Sequence, residues 1–120
     1  MTREQKRAKS AFERVSKHKE RPQDWRDQYG GMAHKLPVLV RQAGLAQALA
    51  FVESRGKDAH RALLEDLAQS LELSKADLLR QSREAKLGEY LRLTREALAV
   101  AQWYKRFAQS VLDVEAGAGE

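Results

Sequence analysis

From about Glu84 to Val114 the chain carries an apolar pattern wider than a surface helix uses. Leu87, Tyr90, Leu91, Leu93, Ala97, Leu98, Val100, Ala101, Tyr104, Phe107, Ala108, Val111, Leu112 and Val114 span an arc of roughly 220° on a helical wheel, against the ~100° stripe with which a surface helix docks. Such a helix has to be central, with several others packed around it. Composition agrees: Ala and Leu dominate, Asn and Ile are absent and only 2 Pro occur in 120 residues, which favours helix throughout. Segments of strand-length alternation, internal repeats and linkers are absent. The expected fold is all-α, a single-domain bundle of about six helices around a long C-terminal helix, with 1–114 as the domain and 115–120 (EAGAGE) as a polar, frayed tail.

Helix punctuation divides the rest. An amphipathic first helix docks through Ala8, Ala11, Phe12 and Val15, and Pro22 suits the first turn of a second helix. That second segment carries Trp25, Tyr29 and Met32, and Pro37 should break or kink it near Leu36, because a residue preceding proline is pushed out of the α region. Leu45, Leu49 and Val52 form a short helix ending at Gly56. Asp58 is placed to N-cap a helix running to about Leu71, with Leu63, Leu64 and Leu67 inward. Ser74 and Asp77 have capping-box spacing ahead of a short helix over Ala76–Gln81.

The charge is concentrated. Arg3, Lys6, Arg7, Lys9, Arg14, Lys17, Lys19 and Arg21 face only Glu4, Glu13 and Glu20, which accounts for the chain's whole formal excess of +5. Arg3, Arg7, Arg14, Lys17 and Arg21 fall in one arc of about 80°, apart from the docking residues. Such a stripe is either a solvated helix face or a contact for a polyanion, whose phosphates are bound by clustered Lys and Arg. Composition does not choose between the two.

Chemistry-bearing patterns are sparse. The absence of Cys excludes disulfides, thiolate metal sites and a cysteine nucleophile. His18, His34 and His60 are scattered without ligand spacing, so no metal and no cofactor is expected. There is no G-x-S-x-G elbow and no phosphate loop around Gly30-Gly31. Glu65 and Asp66, adjacent in sequence, point to different faces of their helix. Catalysis is not expected. With no apolar run near the ~18 residues of a membrane span and no signal-peptide core, a soluble cytoplasmic protein is expected. Depletion of Asn fits a thermophilic source or a GC-rich genome.

The run Trp103-Tyr104-Lys105-Arg106-Phe107-Ala108 places two cations inside an aromatic cluster. Tyr104 and Phe107 read as core; Trp103, at the border of the apolar arc, could meet nucleic acid or a protein.

Three ordered blocks carry a resemblance. Glu89-Tyr90-Leu91-Arg92-Leu93-Thr94-Arg95-Glu96-Ala97-Leu98, followed by the Trp103–Ala108 run, resembles the signature of the small subunit of the Cmr complex, the type III-B CRISPR effector. Leu36–Arg41 and Gly44–Phe51, with Tyr29 ahead of them, resemble the same family's second block. The first helix matches only in being helical and basic, and Tyr104 stands where the family pattern has an aliphatic residue.

The resemblance implies a non-catalytic antiviral-defence subunit. It would stack with copies of itself beside the backbone RAMP subunit and the large subunit, and help hold target RNA against the crRNA. The RNA-binding candidates are Arg3, Lys6, Arg7, Arg14, Lys17, Arg21, Lys105 and Arg106; the subunit-interface candidates are Trp25, Tyr29 and Trp103. The alternative is a small helix-turn-helix DNA binder or protein-interaction adaptor reading through the Asp58–Gln81 helices, although KADLLRQ is short and nearly neutral.

Overall fold

Six helices account for the fold: α1 (Arg3–Ser16), α2 (Gln23–Ala43), α3 (Leu45–Arg55), α4 (Asp58–Ser70), α5 (Lys75–Glu84) and α6 (Leu87–Ser110). The computed structural model describes residues 1–120. The longest helix is α6, packed chiefly against α2 and α1, while α3, α4 and α5 close the other side of α2. The core joins Tyr29 and Leu36 of α2, Leu49 of α3, Leu63 and Leu67 of α4, Leu78 of α5 and Tyr104 of α6.

Local chemistry sets most boundaries. Thr2 opens α1 with a reciprocal capping box: Gln5 N–H donates to Thr2 Oγ1 (3.0 Å) and Thr2 N–H to Gln5 Oε1 (2.8 Å). Ser74 Oγ accepts from the Asp77 N–H at 3.0 Å and starts α5 as its spacing foretold. Gly44 alone joins α2 to α3: at φ 87° it ends one helix and begins the next, a conformation that a side chain would strain.

Four expectations are corrected. Pro37 does not break α2, which continues to Ala43. Leu36 and Val40 on either side of it are buried, and their tertiary packing outweighs the local penalty. Asp58 is not an N-cap; its carboxylate instead accepts the Trp25 indole N–H at 2.9 Å. The fifth helix is longer than Ala76–Gln81, and Glu84 belongs to it, so the last helix starts only at Leu87 after an extended Ala85. At its other end α6 stops at Ser110; Leu112 and Val114 are core residues outside the helix, and Asp113 between them turns through φ 58°.

The wide apolar arc of α6 is also not covered along its full length. Ala97, Val100, Ala101, Tyr104 and Ala108 are buried, but Leu87 is 71% and Leu91 50% exposed. The α1 and α2 helices cover the second half of α6, and its first turns project with little cover from α5.

Candidate nucleic-acid interface

Where α1 crosses α6, a salt bridge defines the geometry. The Arg7 guanidinium donates through Nε and Nη2 to the two carboxylate oxygens of Glu96, at 2.8 and 2.7 Å, and through Nη1 to Glu4 at 3.0 Å. Glu4 also accepts the Trp103 indole N–H. The hydrogen bonds from Arg7 hold the Glu96 carboxyl below its ordinary pKa, and Glu96 in turn raises that of Arg7. Around this clamp, Arg3, Lys6, Ser10, Arg14, Gln69, Ser70 and Glu72 line an open groove of about 510 Å³ with no hydrophobic residue in its lining. A contiguous pocket beside it adds Arg92 and Arg95 of α6. Arg3 is 86% exposed and 4.0 Å from Glu96.

Below the groove floor, a polar network ties α1, α2, α4 and α6 together. The Asp66 carboxylate, buried, lies 2.8 Å from His18 Nε2 and accepts from Tyr29 Oη at 2.6 Å. Tyr104 Oη donates to the Asp66 backbone carbonyl at 2.9 Å and lies 2.7 Å from Ser70 Oγ, itself 2.8 Å from Ser10 Oγ. Burial, more than any neighbour, pushes both phenols to higher pKa, so they stay protonated donors. His18, scattered in sequence without ligand spacing, meets in the fold a carboxylate from a residue 48 positions away.

The stripe read from periodicity is only partly a free surface. Arg3 and Lys6 are exposed and line the groove. Arg7, 18% exposed at its side chain, is spent on the clamp between helices. Arg14 reaches Gln69 Oε1 at 2.6 Å, while its buried Nε has no partner. Helix α1 ends at Ser16, so Lys17 and Arg21 leave the stripe: Lys17 Nζ lies 3.8 Å from Asp66, and the Arg21 guanidinium stacks 4.4 Å over Trp25. Lys105 is half-buried and Arg106 exposed on α6.

Among the interface candidates, Tyr29 is corrected to core: it has no exposed surface, because its ring packs on Trp25 and His18 and its hydroxyl is bound to Asp66. Trp25 is half-buried. Trp103, also half-buried, stacks on Phe107, with centroids 5.6 Å apart, and Phe12 meets the same Phe107 edge-on at 5.4 Å. Phe12, assigned to docking, is 48% exposed. Sequence reasoning missed Arg92 and Arg95; their three-residue spacing on one face of α6 was the available signal.

The helix-turn-helix alternative finds less support. Lys75 of α5 pairs with Glu53 at 3.1 Å and Arg80 with Asp77 at 3.3 Å, so that Arg83 is the one cation of that helix outside an ion pair.

The fold and the groove define a small all-α domain that presents cations from two crossing helices. Comparison with known proteins is specific. The family model for a CRISPR-associated protein, Cas_Cmr5, matches residues 3–111. The CRISPR system Cmr subunit Cmr5 of Thermus thermophilus is 55% identical over 113 residues, covering 93% of this chain and 97% of that protein. The crystal structure of a CRISPR-associated Cmr5 family protein from Thermus thermophilus superposes with a TM-score of 0.87 at 55% identity, over 93% of this chain and 98% of that one. This chain belongs to the Cmr5 family.

Proposed function

We propose that this chain is the non-catalytic small subunit of a type III-B Cmr ribonucleoprotein, and that its α1–α6 groove holds the phosphates of target RNA lying against the crRNA. The observation that carries this reading is the convergence of Arg3 and Lys6 of α1 with Arg92 and Arg95 of α6 around adjoining polar pockets. These cations come from residues 89 positions apart (Arg3 and Arg92) and meet because the Arg7–Glu96 clamp crosses the two helices. Polyanion binding needs such clustering, since each neutralised phosphate releases counterions. Stacking against neighbouring copies and the other Cmr subunits would use the apolar surface at Leu87 and Leu91, together with the half-buried Trp103.

The test is a reconstituted complex carrying Arg3→Ala, Lys6→Ala, Arg92→Ala and Arg95→Ala, with target-RNA affinity measured across a salt series. Each lost phosphate contact should reduce the salt slope by roughly 0.7. Unchanged affinity and slope would show the groove to be a solvated face. Arg7 is left intact in this design because its loss would disturb the helix crossing itself.

A further inference from the structure

Beside the α1–α6 groove, where the α4–α5 link and α5 meet the first half of α6, lies a cleft of about 500 Å³ with a different lining. Leu71, Leu73 and Leu93 supply its apolar lining; all three pack against the core and stay half-buried. Glu72, Gln81 and Glu89 supply polar groups, and their side chains form no hydrogen bond or ion pair within the chain. Arg3, Arg92 and Glu96 line both this cleft and the cationic pocket at the α1–α6 crossing, so the two adjoin. The volume falls within the ~300–1,000 Å³ of small-molecule sites, which combine apolar lining with a few convergent polar groups.

Glu72 holds a backbone position that glycine ordinarily takes. Helix α4 ends in a Schellman motif: Leu73 N–H donates to the Ala68 carbonyl and Glu72 N–H to that of Gln69, both at 2.9 Å. The motif sets Glu72 at φ 61°, in the left-handed region, where a side chain costs stability that glycine would not. The carboxylate kept there has no partner in the chain and lines the cleft.

We propose that this cleft takes an unpaired guanine base of the single strand whose phosphates lie in the α1–α6 groove. The identity of the strand rests on the function proposed above; the choice of base rests on the lining of the cleft. Cations beside an apolar recess with hydrogen-bonding groups suit an unstacked nucleotide, which gives its phosphate to the first and its base to the second. The ionised carboxylates of Glu72 and Glu89 accept hydrogen bonds and cannot donate them. Guanine alone among the four bases presents two neighbouring donors, N1–H and N2–H, which one carboxylate accepts in parallel as it does an arginine fork. Uracil offers a single N–H between two carbonyl oxygens, which these carboxylates repel. Adenine and cytosine each set one amino donor beside a ring-nitrogen acceptor and so gain half of the pairing. Arg3 and Arg92, shared with the cationic pocket, are left for the nucleotide's own phosphate.

The test compares binding of a fluorescent oligouridine to the full chain with that of the same strand carrying one central guanosine, by anisotropy across a salt series. The guanosine strand should bind about five-fold tighter, the low end for a paired base edge because the cleft is open to water. Glu72→Gly with Glu89→Gln should bring that ratio to about one, while Glu72→Gly, by relieving the turn, should melt no lower than the wild type. Lys6→Ala with Arg95→Ala, both outside the cleft lining, should weaken both strands, lower the salt slope by about 1.4 and keep the ratio. In parallel, isotope-labelled chain is titrated with GMP, UMP and inorganic phosphate and followed by nuclear magnetic resonance. GMP should shift the backbone N–H signals of Leu71, Glu72, Leu73 and Leu93, and UMP only those that phosphate shifts. Equal responses to GMP and UMP, or a guanosine preference that survives the Glu72→Gly and Glu89→Gln changes, overturn the proposal whatever the groove does. Shifts produced by acetyl-argininamide but by no nucleotide overturn it in favour of an arginine side chain of a neighbouring protein. A guanosine preference on which Lys6→Ala and Arg95→Ala have no effect leaves the cleft standing and removes the support for the groove.

Discussion

Arg7 and Glu96, 89 positions apart, are joined by two parallel hydrogen bonds of 2.8 and 2.7 Å that fix where α1 crosses α6. The bidentate fork is the strongest form of this interaction, and its partial exposure limits the net gain through solvent screening. A double-mutant cycle with Arg7→Ala and Glu96→Ala should give a coupling of about 1 kcal/mol near neutral pH. The folded pKa of Glu96 is lowered, so this stability is present above the ordinary carboxylate range and lost as pH falls through the folded value. Urea titrations repeated on the acid side should show the coupling vanish. A coupling independent of pH would contradict the assignment.

Trp103→Ala should destabilise by about 1–2 kcal/mol, less than the ~3–5 kcal/mol of a fully buried aromatic. The ring stacks on Phe107 but keeps part of its surface in water, and its N–H serves Glu4. Periodicity put Trp103 at the border of the apolar arc, and the structure makes it a shared residue, part packing and part surface. Denaturant midpoints on the isolated chain measure the first role, and assembly with the other Cmr subunits measures the second.

Protonating His60 should cost stability. Burial, followed by Arg55, Lys57 and Lys35, lowers its folded pKa. Stability is therefore full above the unfolded value of about 6.5 and declines as pH falls from there towards the folded value. His60→Gln should flatten that part of the stability profile, even if it lowers the whole curve. An unchanged slope across the slightly acid range would refute the assignment.

Two glycines should respond oppositely to alanine. At Gly31 the new Cβ would meet the Ala118 carbonyl oxygen at 1.9 Å, so residues 115–120 must lift or α2 must shift, costing about 1–3 kcal/mol. At Gly88, in the first turn of α6, a Cβ meets nothing within 4 Å. Gly88→Ala should stabilise by roughly 0.5–1 kcal/mol by restricting the unfolded chain. Thermal melts of the two variants side by side check both signs.

The apolar periodicity, glycine punctuation and Ala–Leu composition of this chain determined by themselves that it is helical, about how many helices it has and that the last is longest. Such signals are local: a 3.6-residue repeat and a cap act within a turn or two of their own position. The three blocks around Tyr29, Leu36–Phe51 and Glu89–Ala108 were equally legible, and they pointed to the family that the comparisons establish. Only the tertiary structure decided which charges are free. Periodicity placed Arg3, Arg7 and Arg14 on one stripe but could not show that Glu96, from the far end of the chain, takes Arg7, or that Arg92 and Arg95 stand beside Arg3. The same holds for His18 and Asp66, and for Pro37, which stays helical because Leu36 and Val40 are buried on either side of it. The physical reason is common to all of them: partnership and burial are set by distance in space, which one helix's pattern does not encode.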